Sequence, residues 1–276
     1  MTESSRDMSR RGFMKRSAAV AGGAALDRAA TARATEGGGT GGSSSASGAR
    51  ATPGFPYVID DRGPKGIALS SWLDKERLGL VLNDFQNFCI LEKYGFTNDY
   101  NQPRYANIVL PNTLRLVDRF RDLGRPIVYT ILATRHEQFL DLPGACRKVL
   151  ARDLKMSDGT RYHLRFDDEG SRPPDELTPK PEDIVIIKTS SGAFNSSDID
   201  NVLRNNGISS LVFTGGISEL CLSSTVRGAY DCGYLCTVAE DATITGSAEH
   251  QHWAMAFLGG SYAWVTSTGE ILKHLS

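Results

Sequence analysis

Three side chains of complementary chemistry, Asp84, Lys188 and Cys221, each stand at or just after the end of an apolar run. A thiolate is the nucleophilic form of cysteine, and a helix N-terminus or a nearby lysine stabilises it. A carboxylate within reach takes the thiol proton and returns it to a leaving nitrogen. Gly215 and Gly216 precede the cysteine and permit a tight backbone path whose N–H groups face a developing oxyanion. These residue types suffice for acyl transfer through a thioester.

Each of the three residues also fits a structural role. A cysteine in a helix is usually a small packing residue. An aspartate after a strand commonly caps or turns the chain, and a lysine at a strand end is commonly solvated. The catalytic interpretation therefore depends on whether the fold brings the three side chains together.

The elements that would position them are strands alternating with helices. Continuous apolar runs predict six strands, over 77–83, 126–132, 183–188, 210–215, 234–241 and 262–267. Amphipathic stretches predict helices over 107–124, 196–207, 218–233 and 247–260. Residues 133–180 are polar and predict mostly loop. This alternation predicts a three-layer α/β/α, Rossmann-like domain with a six-stranded, mainly parallel sheet.

A parallel sheet of this kind places its chemistry at the carboxyl ends of its strands. Asp84 follows the first predicted strand, and Lys188 ends the third. Cys221 lies beyond the fourth strand, in the first turn of the helix predicted over 218–233. The sequence thus predicts an acid, a lysine and a cysteine at three strand ends of one sheet.

The first fifty residues differ in composition from the rest of the chain. They carry eight Lys or Arg against four acids, whereas the whole chain has a net charge of -1. Arg10-Arg11, a Gly- and Ala-rich stretch and an A-x-A ending resemble a twin-arginine export signal. We therefore expect an export signal over 1–34, a Gly/Ser-rich linker over 35–54 and one folded domain over 55–276.

That organisation predicts a periplasmic or extracellular protein that uses the twin-arginine machinery and keeps no membrane span after cleavage. A disordered basic tail is the alternative, and the protein would then be cytoplasmic. The near-neutral total charge suggests no nucleic-acid partner. An exported chain meets an oxidising compartment. The pairing of the cysteines other than Cys221 stays open among Cys89, Cys146, Cys232 and Cys236.

Three stretches resemble the isochorismatase-like cysteine hydrolases, a family that includes nicotinamidases and N-carbamoylsarcosine, ureidoacrylate and biuret amidohydrolases. LVLNDFQNF at 80–88 is similar to the D-x-Q-N motif on the family's first strand. DIVIIKTSSGAFNSS at 183–197 is similar to its lysine strand and the loop that follows. LVFTGGISELCLSST at 211–225 is similar to its nucleophile motif. The resemblance extends over about residues 75–270, with the motifs in the family's order.

The resemblance implies a catalytic triad of Asp84, Lys188 and Cys221. It also implies a cis peptide bond between Gly216 and Ile217, with the N–H groups of Ile217 and Cys221 forming the oxyanion hole. Members with the cysteine favour a C–N amide-type substrate. The resemblance therefore implies a small amide, ureide or carbamoyl compound, hydrolysed through a thioester by a homo-oligomeric enzyme.

No metal and no other cofactor are expected. In nicotinamidases a D-x-H after the first strand and a second histidine bind a metal, but residues 85–103 contain no histidine. His136 alone would not hold a metal ion.

Two positions depart from the family pattern: Ser218-Glu219 replace its Thr-Asn or Thr-Asp, and Phe88 replaces an acid. The predicted substrate pocket is lined by Gln86, Tyr129, His136, Phe194, Ser218 and Glu219. Two other functions remain open at this point. One is hydrolysis of a vinyl ether or ester with Asp84 as the acid. The other is a secreted binding protein on the same fold that has lost catalysis, with Glu219 as the damaging change.

Overall fold

The computed structural model describes residues 63, 67–94, 98–136, 138–145, 155–156, 158–160 and 164–276. The predicted export signal, the predicted linker and Cys146 lie outside the described residues. No helix among the described residues is long and apolar enough to cross a membrane.

The described chain forms one six-stranded sheet. Its strands are β1 Leu78–Asn83, β2 Ile127–Leu132, β3 Ile184–Lys188, β4 Ser210–Gly215, β5 Leu235–Thr243 and β6 Trp264–Thr266. The strand order is β3-β2-β1-β4-β5-β6. Every described pairing is parallel, so the expectation of a mainly parallel sheet is confirmed in a stricter form.

Helices cover both faces of the sheet. The longer ones are Leu110–Asp122, Ile199–Asn205, Ser223–Asp231, Ala248–Ser261 and Thr268–Leu275. Shorter helical segments are Leu69–Trp72, Asn87–Ile90, Glu92–Tyr94, Asn101–Arg104, Glu169–Ser171 and Asp175–Leu177. Two π-helical turns, Tyr105–Val109 and Ser218–Leu222, lead into longer helices. The predicted three-layer architecture is confirmed.

Alternation within the strands builds two separate cores. Every residue of β1 is buried, with Leu80 and Leu82 in one core and Val81 in the other. Leu116 and Phe120, four residues apart on one helix, pack into the same core as Leu80. Burial on both faces explains why the strands are continuous apolar runs in the sequence.

Two elements differ from the sequence-based predictions. The helix predicted over 218–233 begins with the π-helical turn Ser218–Leu222, so Cys221 sits in a widened turn. The helix Thr268–Leu275 was not predicted. Its sequence signal is the serine three residues before a glutamate, because the Ser267 side chain accepts a hydrogen bond from the Glu270 N–H.

The strand order reverses direction between β1 and β4. In open parallel sheets this switch point forms a crevice outside the carboxyl ends of the strands, and ligands bind there. Asp84 directly follows β1, and the turn that leads to Cys221 directly follows β4. The fold therefore places both segments at the mouth of one crevice.

Candidate active site

The structure brings Asp84 and Lys188 into direct contact. The Lys188 Nζ lies 2.8 Å from the Asp84 Oδ2, and the two side chains are 0% and 3% exposed. Burial raises the pKa of Asp84, and the ammonium of Lys188 only partly offsets this. Burial alone would lower the pKa of Lys188, but the charges of Asp84 and Cys221 reverse the shift and raise it. Lys188 therefore stays cationic at neutral pH.

Cys221 shares a hydrogen bond with Asp84 and interacts with Lys188, so all three side chains form one coupled group. Burial and the carboxylate of Asp84 raise the pKa of the Cys221 thiol to about 12, against the opposing effect of Lys188. Lys188 lowers the pKa of the thiol, as expected, but burial and the Asp84 carboxylate outweigh its effect in the unliganded protein. The thiol is neutral, and Asp84 is positioned to take its proton.

Several contacts hold this group in place that sequence reasoning missed. The Thr130 hydroxyl donates to the Asp84 Oδ1 at 2.9 Å. The Lys188 Nζ donates to the carbonyls of Ser190 and Ser191, at 2.8 Å and 2.9 Å. A hydrogen bond from the Ser191 side chain lowers the pKa of Cys221, although burial outweighs it. The sequence signal for Ser190 and Ser191 was the loop quoted after the lysine strand, whereas Thr130 lies within the predicted second strand and had no signal of its own.

The glycines before the cysteine are required by the backbone. Gly215 has a φ of 94°, and a Cβ there would lie 2.1 Å from the carbonyl oxygen of Asn83. A Cβ at Gly216 would lie 2.7 Å from the Cβ of Ile244. Asp84, which is not glycine, also has a positive φ, 51°. Such left-handed residues are concentrated at functional sites.

The peptide bond between Gly216 and Ile217 is cis. Asn83 holds the turn by donating its Nδ2 to the Gly216 carbonyl at 2.7 Å. Among the described residues the Ile217 N–H has no backbone partner, whereas the next N–H, of Ser218, donates to the Ile244 carbonyl at 2.8 Å. The Ile217 N–H is therefore available to a ligand beside Cys221.

Glu219 binds the segment that follows β5. Its carboxylate accepts from the Thr245 hydroxyl at 3.0 Å and from the Gly246 N–H at 3.2 Å. It also lies 3.0 Å from the Nδ1 of His250. Two of these contacts come from the loop after β5 and the third from the helix Ala248–Ser261, so Glu219 joins the nucleophile turn to the start of that helix. It is thus engaged by the protein, and the prediction that it lines the substrate pocket is corrected.

Ser218 is also engaged by protein groups. It is 0% exposed, and its hydroxyl lies 2.9 Å from both the Ile244 carbonyl and the Oε1 of Gln251. The Gln251 Nε2 in turn donates to the Glu240 carbonyl at 2.9 Å. Ser218 therefore fastens the turn to the helix Ala248–Ser261, and its prediction as a pocket residue is corrected for the same reason.

Two further predicted pocket residues, Gln86 and Tyr129, are buried, and a third, Phe194, is partly buried. Gln86 is 0% exposed, and its amide bonds the backbone of Leu132 and Ser171. Tyr129 is 1% exposed, and burial raises its pKa to about 12. Phe194 packs against Tyr234, with ring centroids 5.5 Å apart. Gln86 and Tyr129 therefore stabilise the fold from inside the protein, while Phe194 keeps part of its surface exposed.

His136 is exposed on the loop after β2. It lines a shallow surface pocket of about 480 Å³ together with Arg135, Gln138, Leu140 and Arg165. Of the six predicted pocket residues, His136 is the one that is exposed, while Phe194 and Glu219 are partly exposed.

The remaining described cysteines are free thiols. Cys89 is buried, and burial, followed by the charges of Asp84 and Cys221, raises its pKa well above the ordinary value. Cys232 is partly exposed and Cys236 is buried. Within the described residues no group of three or more His, Cys, Asp or Glu side chains could hold a metal ion.

Comparison with known proteins identifies the same family. Residues 79–270 match the family model of the Isochorismatase domain. The uncharacterized isochorismatase family protein YddQ of Bacillus subtilis is 36% identical over 173 residues, which cover 59% of this chain and 83% of YddQ. The ureidoacrylate amidohydrolase RutB of Pseudomonas syringae pv. syringae is 39% identical over 103 residues. That match covers 37% of this chain and 42% of RutB, less than half of the relative.

Solved structures share the fold. A cysteine hydrolase from Pseudomonas syringae pv. phaseolicola superposes with a TM-score of 0.64 at 17% identity, over 73% of this chain and 93% of the other. The N-carbamoylsarcosine amidase of Thermoplasma acidophilum superposes with a TM-score of 0.54 at 22% identity, over 70% of this chain and 96% of the other. At these identities the likeness concerns the fold.

Proposed function

The chain belongs to the isochorismatase family, and from this premise we propose that it is a cysteine-dependent hydrolase of a small amide, ureide or carbamoyl compound. The observation that carries the proposal is the buried contact between Asp84, Lys188 and Cys221 beside the Ile217 N–H. The names of the amidohydrolase RutB and of N-carbamoylsarcosine amidase support a C–N bond as the target.

In the first half of the reaction Asp84 removes the proton of the Cys221 thiol as the sulfur attacks the substrate carbonyl. Lys188 stabilises the negative charge that passes between carboxylate and sulfur. The N–H groups of Ile217 and Cys221 bind the oxyanion. The C–N bond then breaks, the nitrogen leaves with the proton from Asp84, and the acyl group remains on sulfur as a thioester.

In the second half Asp84 takes a proton from water, and the water oxygen attacks the thioester carbonyl. The S–C bond breaks, the acid or carbamate product leaves, and the Cys221 sulfur recovers its proton.

The test is ammonia release from a panel of small amides and ureides by the full-length protein and by Cys221→Ala. We expect turnover by the wild type and a loss of at least about a thousandfold in the variant. Cys236→Ala, which changes a buried thiol in the sheet core, is the matched control and should keep activity. Unaltered ammonia release by Cys221→Ala would refute the cysteine mechanism and favour acid catalysis by Asp84. An absence of turnover on every probe would favour the inactive binding protein.

Export by the twin-arginine machinery and assembly into a homo-oligomer stay proposals. The oligomer proposal is supported by an exposed aromatic pair on the helix Ala248–Ser261, where Trp253 stacks on Phe257 and Phe257 is 60% exposed. Sedimentation of the purified protein measures the oligomeric state.

A periplasmic location of a reporter fused to residues 1–54 tests the export signal.

A further inference from the structure

The side-chain amide oxygen of Asn101 is buried and accepts no hydrogen bond from the part of the chain that the structure describes. Its side chain is 4% exposed, and within the described chain the Asn101 Oδ1 has no hydrogen-bond partner. A buried carbonyl without a donor is unfavourable, and native proteins keep few of them. The Asn83 Oδ1 is also without a partner in the described chain, but the Asn83 side chain is held by its Nδ2 on the Gly216 carbonyl, whereas no described hydrogen bond holds the Asn101 amide. Asn101 therefore needs an explanation of its own.

The residue opens a continuous helical segment that runs from Asn101–Arg104 through a π-helical turn into Leu110–Asp122. The π-helical turn, Tyr105–Val109, is a type of element that is frequent at functional sites. Leu116 and Phe120 pack the later turns onto the sheet, so the first turns lie at the carboxyl ends of the strands.

Two sets of contacts fix where this first turn stands. On one side the Tyr105 ring packs against Phe85, the residue after Asp84, with ring centroids 6.5 Å apart. On the other side Arg104 donates to the carbonyls of Thr243 and Glu240 at the end of β5. The helix start therefore bridges the ends of β1 and β5.

The strand that lies between those two ends is β4. In the sheet Gly215 pairs with Asn83 of β1 on one side and with Thr243 of β5 on the other. Neighbouring strands are about 4.8 Å apart, so the helix start that contacts the ends of β1 and β5 also lies close to the turn Gly216–Cys221 between them. A further anchor near this turn is Asn98, whose Nδ2 donates to the Gly246 carbonyl at 2.9 Å.

We propose that the Asn101 Oδ1 accepts a hydrogen bond from the substrate, and specifically from the second nitrogen of a ureide whose carbonyl is attacked by Cys221. This proposal rests on the proposed hydrolase function and narrows its substrate class. A ureide has an N–H on each side of its carbonyl, whereas a simple amide has carbon on one side. An acceptor without a protein partner beside the oxyanion turn selects the compound that brings the extra N–H, because a methylene there leaves the oxygen unsatisfied.

The experiment compares N-carbamoylglycine with succinamate, in which a methylene replaces the second N–H and which still releases ammonia. Asn101→Leu removes the acceptor at similar size, and Asn101→Asp keeps an acceptor oxygen. We expect Asn101→Leu to lose about 10- to 100-fold in kcat/KM on N-carbamoylglycine and less than about 3-fold on succinamate. Asn101→Asp should restore part of the preference. Asn107→Leu, the same substitution at an exposed asparagine of the same helical segment, is the matched control and should leave kcat/KM on both probes unchanged.

Calorimetric binding of both probes to Cys221→Ser separates this inference from the proposed function. If the wild type releases no ammonia, the hydrolase proposal fails, but a loss of N-carbamoylglycine binding caused by Asn101→Leu would still support the recognition role. Equal losses on both probes would overturn the inference, and so would an unchanged preference. No binding of N-carbamoylglycine to Cys221→Ser would overturn it as well.

Discussion

Removing the proposed base should make the cysteine more reactive toward an alkylating agent while it abolishes turnover. The carboxylate of Asp84 helps to raise the pKa of Cys221 to about 12. Asp84→Asn keeps the shape of the side chain and removes its charge, while Lys188 remains and still favours the thiolate. We therefore expect the thiol pKa to fall in the variant.

The magnitude follows from the shift of the thiol pKa from 9.0 to about 12. At pH 7 a thiol of pKa about 12 is ionised in about one molecule in 10⁵. Each unit of decrease raises the thiolate fraction tenfold but lowers its nucleophilicity about threefold. The alkylation rate should thus rise about 3-fold if one unit is recovered and about 30-fold if all three are.

The assay is the iodoacetamide alkylation rate of Cys221, followed by peptide mass spectrometry between pH 7 and 10. The wild-type rate should increase tenfold per pH unit across this range without a plateau, because the pKa of the thiol lies above it. Asp84→Asn should react faster at every pH, and the partly exposed Cys232 in the same samples should react equally in both proteins. A wild-type plateau below pH 8, or slower alkylation in Asp84→Asn, would refute the reasoning.

Three other perturbations have defined outcomes. Lys188→Met should lower the free energy of unfolding in urea by about 3–5 kcal/mol, because it leaves Asp84 buried without its cation. Adding Asp84→Asn to Lys188→Met should restore much of the lost stability, and additive losses of the two variants would contradict an ion pair between the two residues. Gly215→Ala should yield little folded protein, or its free energy of unfolding should fall by more than about 3 kcal/mol in thermal unfolding, because the added Cβ meets the Asn83 carbonyl. A mild effect would contradict that geometry. Glu219→Gln should lower kcat by about 10-fold and raise KM by less, because the nucleophile turn loses its charged hydrogen bonds to the segment after β5. Unchanged kinetics would mean that Glu219 contributes to stability only.

The sequence predicted those parts of the molecule that depend on local pattern. Continuous apolar runs located all six strands, and the residues at their ends placed Asp84, Lys188 and Cys221 at one sheet edge. The direction of the thiol pKa could not be predicted, because it depends on how deeply three distant segments bury one another. The contacts of Glu219 could not be predicted either, because its partners come from the segment after β5, about thirty residues later.

The pocket residues were the weakest predictions for the same reason. Gln86 follows the motif aspartate closely, yet its amide bonds the backbone of the neighbouring strand. Asn101 could not be predicted, because a lone asparagine has no sequence signal; only the fold shows that its oxygen is buried without a donor among the described residues. Whether a buried polar group has a hydrogen-bond partner depends on the folded structure and cannot be read from the spacing of residues in the sequence.

The measurement that tests the central claim most directly is the intact mass of the protein, acid-quenched during turnover of a ureide or amide that it hydrolyses. The account predicts an adduct with the mass of the substrate's acyl group, which peptide mapping places on Cys221 and which disappears when the substrate is exhausted. Steady turnover without any adduct on Cys221, together with the same turnover by Cys221→Ala, would contradict it.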